Sequence, residues 1–299
     1  MKTIDIEQIN INDRRFSISY PMQDEILLAS IKKVGIIQPV ILLDTEPYII
    51  ITGFKRIISA LQAGIKKIPL ITISVSEKEA LLYAVHDNIK RGLNLVEKAQ
   101  SIEKMLNTEF SLPEIFETMT MLSLDPHEKI VNKLAAMAKL DDFCKKFIFT
   151  KNIAMKQAEM LMYFNNEDRV RIIDILSSIR TTESFIREIL ESLNLVKIKN
   201  NNIDFDSLKK ASDAQELKKK LKQITNPILS SLEKKLKQIK LQCSLPPDID
   251  IKVDPFFEKR YIDIVIKVKT ENHAKEAIEK LNSIMTDGHL RSIFELTEG

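Results

Sequence analysis

The stretch YIIITGFKRIISALQAG places Lys55 and Arg56 two and three residues after Gly53, straight after an apolar run. Those residue types at that spacing can grip an anion. Glycine lets the backbone approach closely, and a helix opening there presents free N–H groups and the positive end of its dipole. Arg56 offers a fork of donors and Lys55 a point charge. The same pair is also an ordinary solvated helix start, and the stretch alone leaves both readings open.

Two further groups could meet nucleic acid. In PHEKIVNKLAAMAKL, Lys129, Asn132 and Lys133 have the right chemistry, since Asn pairs bidentately with adenine and Lys reaches guanine or phosphate. Ile130, Val131, Leu134, Met137 and Leu140 lie at core spacing in the same stretch. The net charge of +3 is unevenly spread: residues 196–244 hold 12 Lys and Arg against 5 Asp and Glu, whereas 1–92, 93–195 and 245–299 stay within three charges of neutral. Lys218, Lys219 and Lys220, with Lys222, Lys234, Lys235, Lys237 and Lys240, form this basic footprint. It suits either sequence-independent phosphate contact or a solvated helical face.

Strands and helices must position these groups. TIDIEQI alternates as a short strand, and 22–34 has helical spacing ended by Gly35, read as a left-handed C-terminal residue. PVILL and YIIIT read as strands around the turn DTEP, FKRIISALQAG as an amphipathic helix, and IPLITISV as a strand. Ser76 and Glu79 make a capping box for a helix over 77–90. No strand is expected between Leu95 and Leu193. Helices are expected over 95–106, 112–120, 126–139, 153–164, 166–178 and 182–193, started by signals such as Ser111-Pro113-Glu114, Asp125-Pro126 and Asn166. The pair 112–120 and 126–139 has helix-turn-helix dimensions. An asparagine-rich linker follows, then a helix over 214–242 broken or kinked at Pro227, two strands (IDIKV, YIDIVIKV) and a helix, ENHAKEAIEKLNSIM.

At 299 residues the chain suits two or three domains. No apolar run approaches the roughly 18–20 residues of a membrane span, and MKTIDIEQINI lacks a signal-peptide core. Cys144 and Cys243 lie far apart without metal-ligand spacing, so both thiols are expected to pack or to be idle, and the cytoplasm is the default compartment.

The segments LLASIKKVGIIQPVIL…YIIITGFKRIISALQAGIKKIPLI and AVHDNIKRGLNLVEKAQSIEKML resemble, in order and spacing, the two motif boxes of the ParB N-terminal domain, of the ParB/sulfiredoxin superfamily. Residues 108–193 resemble that family's DNA-binding segment more loosely, and the β-β-α tail its dimerisation domain more loosely still. The resemblance implies an α+β multidomain protein. Its parts would be a ParB/sulfiredoxin-like nucleotide-binding domain over 1–92, an all-α helix-turn-helix domain over 93–194, a linker over 195–213, and a basic helix plus β-β-α dimerisation domain over 214–299. It implies a pocket for CTP and Mg2+ in which Gly53, Lys55, Arg56, Gln38, Asn88 and Arg91 hold the nucleotide. Asp87 and Asn88 would face the metal, as hard oxygen ligands suited to magnesium.

By that resemblance the chain is a nucleotide-responsive, dimeric DNA clamp of chromosome or plasmid partition, cytoplasmic and nucleoid-associated, with no membrane contact. A ParA-type ATPase is its expected partner, and any enzymatic activity is at most weak CTP hydrolysis. The alternatives are a transcription regulator with a degenerate ParB fold and a ParB-related small-molecule kinase or nuclease. Three departures bear on the choice. Phe54 replaces the acidic residue of the family's GERR turn, and Asp87 replaces the Glu of ENxQR. Lys156-Gln157-Ala158-Glu159 stands where a Gly-His-Ala-Arg-like run contacts specific DNA, which makes Lys156 a candidate contact and Glu159 a repulsive one. The turn also lacks the cysteine that sulfiredoxin chemistry needs.

Overall fold

A computed structural model describes residues 2–199 and 203–297. The chain packs as two compact units divided between Leu190 and Glu191. It is a mixed α+β protein, mostly helical among the described residues, with an α/β region at its N-terminus.

The α/β region holds strands β1 (Thr3–Asp5), β2 (Ile9–Asn10), β3 (Val40–Leu43), β4 (Tyr48–Thr52) and β5 (Lys67–Ile73) in one sheet of order β1-β5-β3-β4-β2. The pairs β3–β4 and β1–β5 are antiparallel, while β3–β5 and β2–β4 are parallel. Helices α1 (Glu25–Val34), α2 (Phe54–Gln62) and α3 (Glu77–Ile89) belong to the same region. Val40, Leu42, Ile50, Ile51, Ile68 and Leu70 are buried with Ile57 and Ala60 of α2 and Leu81 and Val85 of α3. Each large apolar side chain so buried stabilises the fold by about 1.5–3 kcal/mol. Antiparallel pairing of Ile41 with Thr52 brings the start of β3 beside the end of β4, and α2 begins there.

The helices α4 (Leu95–Asn107), α5 (Leu112–Met121), α6 (Glu128–Ala138), α7 (Asp142–Thr150), α8 (Met155–Met162), α9 (Asn166–Ser178) and α10 (Glu183–Ile198) follow, with no strand among them. α4 is the hub. It packs against α3, α5, α6 and α7, and buries Val96, Ala99, Ile102 and Met105. The second unit contains α11 (Phe205–Lys209), α12 (Ala214–Thr225), α13 (Pro227–Gln242), β6 (Ile249–Val253), β7 (Ile262–Ile266), α14 (Glu271–Thr286) and α15 (His289–Glu295). β6 and β7 pair antiparallel, Ile249 opposite Ile266.

Several elements differ from expectation. α1 starts at Glu25 rather than residue 22, because the Asp24 side chain caps it by accepting from Leu27 N. Gly35 ends it with positive φ but extended ψ (74°, −168°), outside the left-handed helical region. α6 starts at Glu128, since His127 Nδ1 accepts from Lys129 N as a cap. α9 is capped by Asn165 rather than Asn166. α7, α11 and α15 were not expected. α10 runs to Ile198, into the segment read as linker, and residues 200–202 of that segment lie outside the described residues. The 214–242 helix is broken in two, with Pro227 at the first position of α13, where its missing N–H costs nothing.

Candidate functional site

Gly53 sits at φ 97°, ψ 19°, joining β4 to α2 with no linker residue besides itself. A Cβ built on it would lie 2.7 Å from Val40 Cγ1, so both the turn and the close β3 approach require glycine. Two residues into α2, Arg56 turns back over β3. Its Nη1 donates to the carbonyls of Gln38 (2.8 Å) and Pro39 (2.7 Å), and its Nη2 lies 3.6 Å from Asp87 Oδ2 on α3. Burial lowers the guanidinium's pKa, opposed by the charge of Asp87. Arg56 is therefore a brace as well as a donor, since it holds the backbone entering β3 and faces the end of α3.

Around this brace lies a cavity of about 840 Å³. The structure brings to its wall every sequence-predicted pocket residue: Gln38, Gly53, Lys55 and Arg56 from the β3 and α2 side, Asp87, Asn88 and Arg91 from α3 and its exit. Lys55 is half-buried and Asp87 keeps 29% side-chain exposure, so both remain reachable. Phe54 is buried, and the Arg14 guanidinium lies 5.5 Å from its ring centroid. An aromatic face thus carries a cation at the position of the absent carboxylate. Asp24, Tyr83 and His86 also line the cavity and had not been singled out from the sequence.

Arg91 and Asn88 are engaged. Arg91 Nε donates to Asn88 Oδ1 (2.7 Å), and its Nη1 and Nη2 reach Glu97 Oε2 (3.0 Å) and Oε1 (2.6 Å). The Asn88 amide donates to Ala84 O (2.7 Å). Glu97 is fully buried in α4, where it also accepts from Asn94 N (3.1 Å) and Tyr20 N (2.9 Å). One buried carboxylate thus ties the cavity's arginine to the start of α4 and to the loop at Tyr20. Reasoning from sequence missed Glu97, although Asn94-x-x-Glu97 is a readable capping box.

Among the described residues no three His, Cys, Asp or Glu side chains converge as a metal cluster. Asp87 offers one carboxylate, whereas Asn88 Oδ1 already accepts from Arg91 Nε. A lone carboxylate fits magnesium, which keeps waters and leans on phosphates.

On α6, Lys129 and Asn132 are exposed while Val131, Leu134 and Met137 are buried against neighbours that include α4 and α8. Lys133 pairs with Glu159 of α8 at 2.8 Å, and Tyr163 Oη donates to the same carboxylate. These contacts, Lys133 first, lower the Glu159 pKa. Lys156 is exposed at the start of α8. On α12, Lys218 and Lys219 are exposed, whereas Lys220 donates to Ser207 O (2.9 Å) and pairs with Glu216 (3.2 Å). Lys222 pairs with Glu233, and Lys240 with Asp250. Part of the basic footprint is therefore committed inside its own unit. Both cysteines are free and buried, and burial raises both thiol pKa values, Cys144 to about 11.

Comparison with known proteins bears on this site. Residues 1–89 match the ParB N-terminal domain family. A probable chromosome-partitioning protein ParB of Vibrio cholerae is 29% identical over 232 residues, 73% of this chain and 75% of that protein. A nucleoid occlusion protein of Listeria monocytogenes is 28% identical over 178 residues, 56% of this chain and 61% of its own length. The solved C-terminally truncated ParB of Caulobacter crescentus complexed with CTP-gamma-S is 21% identical. It covers 58% of this chain and 96% of that one, with a TM-score of 0.28.

Proposed function

We propose that this chain, whose residues 1–89 match the ParB N-terminal domain family, is a DNA-binding protein of chromosome or plasmid partition whose N-terminal cavity takes CTP with Mg2+. The observation that carries the reading is the convergence of Gly53, Lys55, Arg56 and Asp87 on one cavity. Cations and free helix N–H groups serve the triphosphate there, and a single carboxylate stands where a phosphate-bound magnesium would sit. Gln38, on the same side as Arg56, is left for the base or sugar. Magnesium, when bound, would neutralise phosphate charge beside Asp87.

Arg91 and Asn88 satisfy one another and Glu97 in this state. For Arg91 to reach a phosphate it must leave Glu97, so occupancy of the cavity is coupled to the start of α4 and the Tyr20 loop. That coupling supports a nucleotide-dependent change in the helical region, where Lys129, Asn132 and Lys156 would meet DNA. Lys133 and Lys220 would first have to leave Glu159 and Glu216. Lys218 and Lys219 would add phosphate contacts in the second unit. Dimerisation through β6, β7 and α14, a ParA-type partner and nucleoid association belong to the same reading, and the domain limits 1–92, 93–194, 195–213 and 214–299 go with it.

Phe54 favours a second reading, a transcription regulator that has kept the fold without the switch, because a buried aromatic stands at the turn's acidic position. A panel of CTP, ATP, GTP and UTP with Mg2+, with and without duplex DNA, separates the two. Selective CTP binding whose affinity changes with DNA supports the clamp. DNA binding indifferent to every nucleotide supports the regulator, and ATP turnover with a small acceptor would support a kinase instead.

A further inference from the structure

Two aromatic side chains line the Gly53 cavity, Phe54 and Tyr83. Phe54 is 3% exposed, with the Arg14 guanidinium over its ring, so it belongs to the core. Tyr83 is 49% exposed, and among the described residues no cation, second ring or side-chain hydrogen bond engages it. An open ring on a cavity wall is a large apolar face waiting for cover.

The neighbours of Tyr83 on α3 decide which end of a ligand covers it. Tyr83, Asp87 and Lys90 follow at spacings of four and three residues, and Lys90 keeps helical backbone angles (φ −62°, ψ −30°). The three therefore share one face of the helix, with about 6 Å along the axis from Tyr83 to Asp87 and about 5 Å more to Lys90. Arg56 Nη2 lies 3.6 Å from Asp87, so the opening of α2 meets this row at its middle. Lys90 is exposed, lines the cavity and has no ion-pair partner among the described residues. Arg91 must first leave the buried Glu97, whereas Lys90 can meet a phosphate as it stands. The row thus runs from an open ring, past a carboxylate, to an unpaired cation. An anionic tail gains at the lysine, and a planar base gains at the ring, because every base presents a π-face.

Resting on the nucleotide reading of this cavity, we infer that Tyr83 stacks on the base and Lys90 meets the terminal phosphate, so that the nucleotide lies along α3 with its base toward the helix N-terminus. Stacking does not choose among bases, so Tyr83 sets how tightly the base is held and leaves its identity to hydrogen-bonding groups such as Gln38.

The test titrates CTP, CDP and inorganic tripolyphosphate, each with Mg2+, into the full chain and into Tyr83→Ala, Tyr83→Phe and Lys90→Ala. Both side chains are exposed, so the variants fold. Tyr83→Ala weakens CTP and CDP by about tenfold and leaves tripolyphosphate unchanged, and Tyr83→Phe restores the nucleotides. Lys90→Ala weakens CTP by about tenfold and leaves CDP, one phosphate short of it, unchanged. If the parent binds CTP and Tyr83→Ala binds it equally well, the inference is overturned while the nucleotide reading stands. CTP affinity untouched by Lys90→Ala, or CDP weakened as much as CTP, overturns the orientation. A parent that binds none of the three probes overturns the nucleotide reading and this inference with it.

Discussion

Gly53→Ala tests the turn on which the whole N-terminal cavity rests. An alanine at φ 97° meets the left-handed penalty of about 1–2 kcal/mol. Its Cβ, 2.7 Å from Val40 Cγ1, adds an overpacking cost of about 1–3 kcal/mol, because Val40 is fully buried and cannot swing away. The sum is about 2–5 kcal/mol. For the unit ending at Leu190, that lowers the melting temperature by about 5–15 °C. The assay is thermal unfolding followed by circular dichroism, run as a double-mutant cycle with Val40→Ala. Val40→Ala alone destabilises by leaving a cavity. In the double variant the Cγ1 clash is gone while the 3.1 Å approach to the Cβ of residue 40 and the backbone penalty stay, so the pair is less destabilised than the sum of the singles by about 1–2 kcal/mol. A Gly53→Ala protein melting within about 1 °C of the parent refutes the turn as described. A strictly additive cycle refutes the contact with Val40.

Three further outcomes follow from named contacts. Glu97→Ala removes the acceptor shared by Arg91, Asn94 and Tyr20, and destabilises by about 2–4 kcal/mol in urea titration; a change near zero would mean that the network holds nothing together. Lys78 and Ser111 depress the Glu114 pKa from 4.5 to about 2. The stability it contributes is therefore present above pH 4.5 and lost as pH falls toward 2, and Glu114→Gln should flatten that acid limb, seen in melting temperatures across the window. If Lys129 meets a DNA phosphate, Lys129→Ala lowers the slope of log affinity against log salt by about 1; an unchanged slope removes it from the interface.

The sequence was most legible where local chemistry decides the structure. Gly53 between an apolar strand and an amphipathic run, the Ser76/Glu79 box and the break at Pro227 all appear as local rules require. α7 was missed because DFCKKFIFT is rich in aromatic and β-branched residues of modest helix propensity. Its cap, Asp141 accepting from Cys144 N at 2.8 Å, is real but was not weighed. The cavity's cations were legible as residue types, but what they touch was not. Nothing in HDNIKRGLNLVEK says that Arg91 turns to a buried Glu97, or that Arg56 spends one nitrogen on the carbonyls of Gln38 and Pro39. Both depend on how β3, α3 and α4 meet in space. For that reason Arg56→Ala is a poor test of ligand binding. It strips two carbonyls of their donor, at about 1–3 kcal/mol, and loosens the entry to β3 as well.

Lys55 is free of that complication: it lines the cavity, and no ion pair engages it among the described residues. The most direct measurement is therefore calorimetric titration of CTP with Mg2+ into the parent chain and into Lys55→Ala. Saturable, magnesium-dependent binding in the parent, weakened by about tenfold in Lys55→Ala with melting unchanged, is the predicted result. No CTP binding in the parent, or equal affinity in the two proteins, would contradict the assignment of the Gly53 cavity to a nucleotide.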